Sequence, residues 1–211
     1  MAARVFADRA DGGRCLAEEL RGRAWTDPLV LGLARGGVPV AAVVARRLGA
    51  ALDVAVARKI GAPRRREYGV GAVTAEGPAI YDEAALRALE LTAARMARIE
   101  ARERAEARRR LGRYRAGRAP VVVAGRDVIL VDDGLATGVT ATAALRDVRA
   151  VRPRTLVFAT PVAAPAAAER VRREADDVVC VAEPPGFRAV GQWYADFHQT
   201  SDEDVLDLLF R

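Results

Sequence analysis

Residues 128–140 read VILVDDGLATGVT. The first four are apolar and mostly β-branched, which predicts a buried strand. Asp132 and Asp133 follow at the carboxyl end of that strand. Residues 137–140 (TGVT) then lead into an alanine-rich segment, which predicts the first turns of a helix. This order indicates an α/β unit whose polar groups gather beyond the end of a strand.

The predicted helix start suits a phosphate group. The N–H groups of a first helical turn lack partners, and the helix dipole is positive at that end. Gly138 lets the backbone come close to a ligand, and Thr137 and Thr140 add hydroxyl donors. The two acids would repel a phosphate, but they can accept hydrogen bonds from a cis-diol. A sugar phosphate therefore fits better than a bare phosphate, and a plain strand–loop–helix connection with solvated acids is the alternative.

This pattern resembles the signature of the type I phosphoribosyltransferases, and most closely its adenine version. The hypoxanthine–guanine version usually has Asp where Ala136 stands and Lys where Val139 stands. The resemblance implies that Asp132 and Asp133 are catalytic and hold the ribose hydroxyls of phosphoribosyl pyrophosphate (PRPP). It places the 5-phosphate against five consecutive residues: Ala136, Thr137, Gly138, Val139 and Thr140. The acceptor is left unassigned.

A second glycine-rich turn follows the predicted strand at residues 29–33 (LVLGL) and precedes a helix from about residue 40. Successive N–H groups around Gly36 and Gly37 can converge on an anion. Arg35 adds a charged fork suited to phosphate oxygens. A tight strand-to-helix turn is the alternative. The resemblance implies that Arg35, Gly36 and Gly37 bind pyrophosphate.

A third strand, at residues 52–57, opens into a polar segment rich in Gly and Pro. This segment resembles the mobile loop of the family, here about 59–81, which closes over the reacting centre. Lys59, the one lysine of the chain, is then expected near the pyrophosphate, and Glu67 is assigned as a proton carrier. A solvated loop is the alternative for the arginines at 64–66. Residues 70–75 and 79–81 predict a hairpin.

An arginine-rich helix is predicted over about 83–113, with Asp82 as its cap. Ten arginines fall between residues 95 and 118. The pairs Glu100–Arg104 and Glu106–Arg110 have favourable spacing, so a solvated, salt-bridged helix is the first interpretation. A homodimer contact and an RNA-facing surface are the alternatives.

The remaining elements complete the fold prediction. Strands at 155–161 and 178–182 enclose a helix at 164–173, and this alternation predicts a mostly parallel α/β sheet flanked by helices. Ligands bind such sheets beyond the carboxyl ends of the strands, where both glycine turns and the acidic pair should meet. The whole chain, 1–211, is expected to be one domain.

The last segment, about 183–200, resembles the hood that covers the base in purine phosphoribosyltransferases. Four of the chain's eleven aromatic residues lie there, and aromatic faces stack on planar heterocycles. Phe187 best fits the base-stacking position and Tyr194 is the second choice. The alternative is that these rings pack the hood onto the core. His198 is interpreted as a structural or surface residue rather than a catalyst, and Ser201 is expected to cap a short final helix.

Composition narrows the class of protein. The chain has 211 residues, of which 51% are hydrophobic and 29% charged, with a net charge of +6. No apolar run approaches the roughly 18–20 residues that span a bilayer, and no secretory signal is recognised. Cys15 and Cys180 match no metal spacing. We expect a cytoplasmic protein and attribute its arginine richness to compositional bias rather than to nucleic-acid binding.

These observations predict a Mg²⁺-dependent phosphoribosyltransferase with PRPP and a small-molecule acceptor, a purine or another nucleobase, as in nucleotide salvage. Mg²⁺ is expected mainly on oxygens of PRPP, with Asp133 as the one candidate protein ligand. A non-catalytic PRPP or nucleotide sensor that binds RNA or a partner through the arginine-rich helix is the alternative. A second alternative keeps the enzyme and replaces the nucleobase with an amine or another acceptor.

Overall fold

A computed structural model describes residues 5–63 and 65–210, apart from the side chains of residues 66 and 67. Its strands are β1 (Leu29–Leu33), β2 (Ala51–Ala55), β3 (Ala57–Ala62), β4 (Arg65–Thr74), β5 (Ile80–Tyr81), β6 (Asp127–Val131), β7 (Thr155–Val162) and β8 (Asp177–Ala182). Its α-helices are α1 (Arg9–Arg21), α2 (Gly37–Leu48), α3 (Glu83–Ala88), α4 (Ala93–Arg115), α5 (Val139–Ala150), α6 (Pro165–Val171) and α7 (Asp202–Phe210), and a short 3₁₀ helix spans Val190–Trp193.

The central sheet is parallel, with the strand order β2-β1-β6-β7-β8. Every residue of β1 and β6 is buried, as expected for strands covered on both faces. Helices α1 and α2 cover one face, where Leu20 and Val44 pack near Ile129. Helices α5 and α6 cover the other, where Leu145 packs near Phe158. Because β1 and β6 are neighbours, the loops that follow them share one edge.

The segment expected as a loop, 59–81, is largely a second, antiparallel sheet of order β3-β4-β5. The expected third strand also ends earlier, because β2 stops at Ala55 and β3 begins at Ala57. Apolar residues explain the second sheet, since Ile60, Val70 and Val73 are fully buried in one cluster. The predicted hairpin is present, with Ala72 opposite Ile80 in the β4–β5 pair.

The long helix predicted at 83–113 is two helices, and that prediction was wrong. Helix α3 ends where Glu90 adopts a positive φ of 51°. The N–H of Leu91 donates to the carbonyl of Leu86 at 2.9 Å and the N–H of Glu90 to that of Arg87 at 3.1 Å, which is the Schellman helix ending. Thr92 then caps α4 through the N–H of Arg95. A helix-ending turn followed by a new cap therefore interrupts the element.

Helix α4 carries the ion pairs that were predicted for it. Glu100 pairs with Arg104 at 2.8 Å and Glu106 with Arg110 at 2.7 Å. Glu103, only 7% exposed, lies between the guanidinium groups of Arg58 and Arg102. Much of the arginine charge is therefore balanced by acids of the same chain. In the described residues, no helix has both the length and the apolar character needed to cross a membrane.

Candidate functional site

The loops after β1 and β6 touch at the carboxyl edge of the sheet. Gly32 of β1 lies opposite Val131 of β6, so both chains leave the sheet side by side. The Ala34–Arg35 peptide bond is cis. Helix α2 begins at Gly37, three residues before the predicted start, so the two glycines lie at a helix N-terminus, where backbone N–H groups are available to an anion.

Glycine is required where this turn meets the acidic pair. A β-carbon added at Gly37 would lie 2.5 Å from the carbonyl oxygen of Val131 and 2.9 Å from the Cα of Asp132. A β-carbon at Gly36 would overlap Oδ2 of Asp133. The predicted pyrophosphate turn and the predicted ribose acids therefore lie in direct contact.

The predicted 5-phosphate turn lies at the start of α5. Gly138 has a φ of +77° and the N–H of Thr142 donates to its carbonyl at 2.8 Å. A positive φ favours glycine, because other residues are strained in that region. Ala136 and Thr137 are exposed, whereas Val139 is buried against Ala72 of β4. The turn is thus fixed to the second sheet while its outer residues face solvent.

The acidic pair lies in a poorly hydrated environment. Burial raises the pKa of Asp132 well above the usual value of an aspartate, and the neighbouring charge of Asp133 raises it further. Burial also raises the pKa of Asp133, although the guanidinium of Arg9 opposes that rise. The N–H of Asp133 donates to Oδ1 of Asp132 at 2.9 Å. Hydrogen-bond donors or positive charge brought by a ligand would stabilise the charged forms of two carboxylates held in this way.

Arg35 points toward the C-terminal helix. Its guanidinium lies 3.6 Å from the carboxylate of Asp202 at the start of α7. Asp202 also accepts from Arg113 at 2.9 Å and from the hydroxyl of Tyr114 at 2.6 Å. A guanidinium has five N–H donors, so donors are left for a phosphate. Its pyrophosphate-binding role stays a prediction, and nothing near Arg35 in sequence indicated that α7 would hold it.

Tyr114→Phe should lower the free energy of unfolding by about 1–3 kcal/mol, because a buried hydrogen bond to a charged group is lost. The Tyr114 ring is fully buried, and this burial, together with the bond to Asp202, raises the pKa of Tyr114 to about 12. Urea unfolding measures the loss. Tyr68→Phe is the matched control, since Tyr68 is 47% exposed. Equal unfolding free energies for both variants would contradict the prediction.

Lys59 and Glu67 belong to the second sheet. Lys59 lies on β3 with its aliphatic chain against Gly69, where an added β-carbon would be 2.8 Å from Cδ of Lys59. Its side chain lines a surface hollow that Arg58 and Glu103 also line. The side chain of Glu67 lies outside the described part of the chain. Both assigned roles stay predictions.

In the hood, Phe187 and Tyr194 differ in accessibility. The ring of Phe187 is partly buried and stacks on Trp193 with centroids 6.3 Å apart. Tyr194 is 5% exposed and lies between Phe6 and Phe197, with centroid distances of 5.5 and 5.1 Å. Its ring is therefore covered in this conformation, which leaves Phe187 as the better of the two predicted stacking residues.

His198 has 92% of its side chain exposed, and its ring nitrogen lies 3.1 Å from Asp196. This exposure agrees with the interpretation of His198 as a surface residue. The final helix begins as predicted, with Ser201 Oγ accepting from the N–H of Asp204 at 3.0 Å.

The chain is also similar in sequence to a known protein family. A family model described as "Phosphoribosyl transferase domain" matches residues 6–196. The chain belongs to the phosphoribosyltransferase family. Both the family prediction and the predicted mostly parallel α/β fold are thereby confirmed.

Relatives of this phosphoribosyltransferase domain occur in Mycobacterium tuberculosis and Thermus thermophilus. Two curated Mycobacterium tuberculosis proteins, from strains CDC 1551 and H37Rv, are each 43% identical over 208 residues, and their names describe them provisionally as phosphoribosyl transferases. These matches cover 99% of this chain and 47% of each relative, so the chain spans about half their length. The crystal structure of TT1426 from Thermus thermophilus is 46% identical, covers 97% of both chains and has a TM-score of 0.81.

The acidic pair of this phosphoribosyltransferase domain offers the oxygen donors that Mg²⁺ prefers. Mg²⁺ commonly binds one or two carboxylates together with substrate phosphates and water. No group of three or more His, Cys, Asp or Glu side chains able to hold a metal occurs among the described residues. Asp132 and Asp133 are two such carboxylates, so they fit a metal that arrives with a phosphorylated ligand.

Proposed function

We propose that the chain is a Mg²⁺-dependent phosphoribosyltransferase that moves the 5-phosphoribosyl group of PRPP to a ring nitrogen of a nucleobase. The bond between C1 of the ribose and the pyrophosphate oxygen breaks, a C1–N bond forms, and the nitrogen loses a proton. The contact between the turn at Gly36–Gly37 and the acids at Asp132–Asp133 supports this proposal most directly. It brings a turn whose N–H groups can bind an anion next to two carboxylates that can accept from a diol.

Each group of residues has a separate part in the proposal. Asp132 and Asp133 accept from the ribose hydroxyls, and their negative charge stabilises the positive charge that develops on the ring. The turn formed by Ala136, Thr137, Gly138, Val139 and Thr140 donates to the 5-phosphate. Bound Mg²⁺ would offset negative charge on the pyrophosphate.

Three further groups complete the proposed site. Arg35, Gly36, Gly37 and Lys59 bind the leaving pyrophosphate, and Phe187 stacks on the acceptor with Tyr194 as the second choice. Glu67 is proposed to carry the proton released by the acceptor. The pairing of α4 arginines with acids of the same chain favours this enzyme over an RNA-binding sensor, because paired arginines have less charge to offer phosphates.

A calorimetric titration tests the donor site without knowledge of the acceptor. PRPP should bind in the presence of Mg²⁺ and bind at least about tenfold more weakly without it, since the metal screens a highly charged ligand. A screen of bases for pyrophosphate release should then identify the acceptor. Ribose 5-phosphate is the matched ligand control, because it keeps the 5-phosphate and lacks pyrophosphate. Folded protein that shows no heat of binding with PRPP and Mg²⁺ would overturn the proposal.

A further inference from the structure

Arg9, the first residue of α1, reaches into the acidic pair from the other end of the chain. Its Nε and one terminal nitrogen both lie 2.8 Å from Oδ2 of Asp133. The side chains of Arg9 and Asp133 are each only 13% exposed. The contact is therefore a shielded ion pair, which solvent screens less than a surface pair.

The remaining contacts of Arg9 are with the hood. Its Nη1 donates to the carbonyl of His198 at 2.6 Å. Its guanidinium carbon lies 3.9 Å from the centroid of the Phe197 ring, within the range of a cation–π interaction. One guanidinium therefore joins the carboxylate predicted to hold the ribose to two successive residues of the hood.

The hood contacts the acidic loop, residues 132–134, at two further points. The Tyr194 hydroxyl donates to the backbone carbonyl of Asp133 at 2.6 Å. Val190 packs so closely on Gly134 that a β-carbon there would overlap its side chain. The N-terminal segment is joined to the same hood, because the N–H of Phe6 donates to Trp193 and the N–H of Ala195 to Phe6, both at 2.8 Å. Helix α1, the hood and the acidic loop thus form one connected unit.

The ion pair uses one of the two carboxylate oxygens of Asp133. A carboxylate oxygen offers about two lone pairs, and two N–H donors of Arg9 address Oδ2. Oδ1 of Asp133 is the oxygen that does not take part in these two contacts with Arg9. Rotation of the carboxylate would break both bonds to Arg9, so the guanidinium fixes the direction in which Oδ1 points.

We propose that Arg9 is a positioning residue that presents Oδ1 of Asp133 to the ribose of PRPP and couples occupancy of the PRPP site to the hood over the acceptor. This inference rests on the proposed function. The lysine variant separates charge from geometry, because an ammonium can pair with Asp133 but lacks the planar fork of a guanidinium.

The test uses calorimetry and the fluorescence of Trp193, which is 8% exposed within the hood. The chain has two tryptophans, so a Trp25→Phe background leaves Trp193 as the one emitter. In that background PRPP with Mg²⁺ should change the emission. Arg9→Gln should weaken the binding of PRPP about tenfold or more, as expected for loss of a charge-assisted contact. It should also remove most of the change in Trp193 emission at saturating PRPP. The affinity of Arg9→Lys for PRPP should lie between that of the unmodified chain and that of Arg9→Gln.

Arg14→Gln is the matched control. Arg14 lies on the same helix as Arg9, and its replacement by glutamine removes the same charge. The Arg14 side chain, however, is 49% exposed, and among the described ion pairs it pairs only with Asp11. Equal PRPP affinity and equal emission change for Arg9→Gln and Arg14→Gln would overturn the inference while leaving the proposed function intact. Absence of PRPP binding by the unmodified chain would overturn both. Should Arg9→Gln fail to fold, Arg9→Lys decides, and an affinity equal to that of the unmodified chain would overturn the inference.

Discussion

Replacing both acids, Asp132→Asn with Asp133→Asn, should weaken PRPP binding by about a hundredfold or more, because two hydrogen bonds to charged groups are worth about 3 kcal/mol or more together. Turnover should be abolished, since the charge that stabilises the developing cation is also lost. Calorimetry with Mg²⁺ measures the binding, and pyrophosphate release measures the turnover once an acceptor is known.

The control for this pair is another pair of adjacent acids. Glu18→Gln with Glu19→Gln changes the net charge equally on the exposed side of α1, where both side chains are exposed. That variant should bind PRPP as the unmodified chain does. Near-normal turnover in the Asp132/Asp133 variant would contradict the assignment of these acids.

The single change Asp132→Asn should raise thermal stability at neutral pH while it weakens PRPP binding. The pKa of Asp132 is raised in the folded chain by burial and by Asp133, so its charged form opposes folding at neutral pH. That penalty disappears as the pH falls and Asp132 takes up a proton. The advantage of the asparagine variant should therefore shrink toward acidic pH, and thermal melts at several pH values measure it. A lower melting temperature for the variant at neutral pH would be the contrary result.

Gly37→Ala should damage both the fold and the site. The added β-carbon would lie 2.5 Å from the Val131 carbonyl and 2.9 Å from the Cα of Asp132. Both are backbone atoms, so the two loops must move apart, and overpacking of this kind costs about 1–3 kcal/mol. The same movement displaces Asp132, so PRPP affinity should fall by about tenfold or more. Urea unfolding and calorimetry measure the two effects.

Gly112→Ala is the matched glycine control. Gly112 lies in α4, and a β-carbon there meets no atom within 4 Å apart from its chain neighbours and the backbone of its own helix. Alanine should therefore stabilise the helix by up to about 1 kcal/mol, since glycine is a poor helix former, and PRPP affinity should not change. Equal effects of the two alanine substitutions would show that the close approach at Gly37 is unimportant.

The sequence was sufficient where short-range patterns carry the information. The apolar, β-branched run before Asp132 predicted β6, and the TGVT turn predicted the start of α5. The alternation of strands and helices predicted the parallel sheet and therefore placed both glycine turns at one edge. The break at Glu90 was missed by the prediction of one helix over 83–113, although it had a local signal, because Thr92 is a good helix cap.

Other features depended on the tertiary structure. Burial of Ile60 and Val70 against α3 and α4 turned a predicted loop into a sheet, because packing outweighs local propensity. Arg9 and Asp133 are 124 positions apart, and Arg35 meets Asp202 from the far end of the chain. Among so many arginines, no local pattern distinguishes the one that will pair with a buried carboxylate. Nearby residues thus determined the strands of the central sheet and the two glycine turns. Only the folded chain decided the second sheet and which charges meet, because packing and ion pairing depend on distance in space and on the solvent excluded around each group.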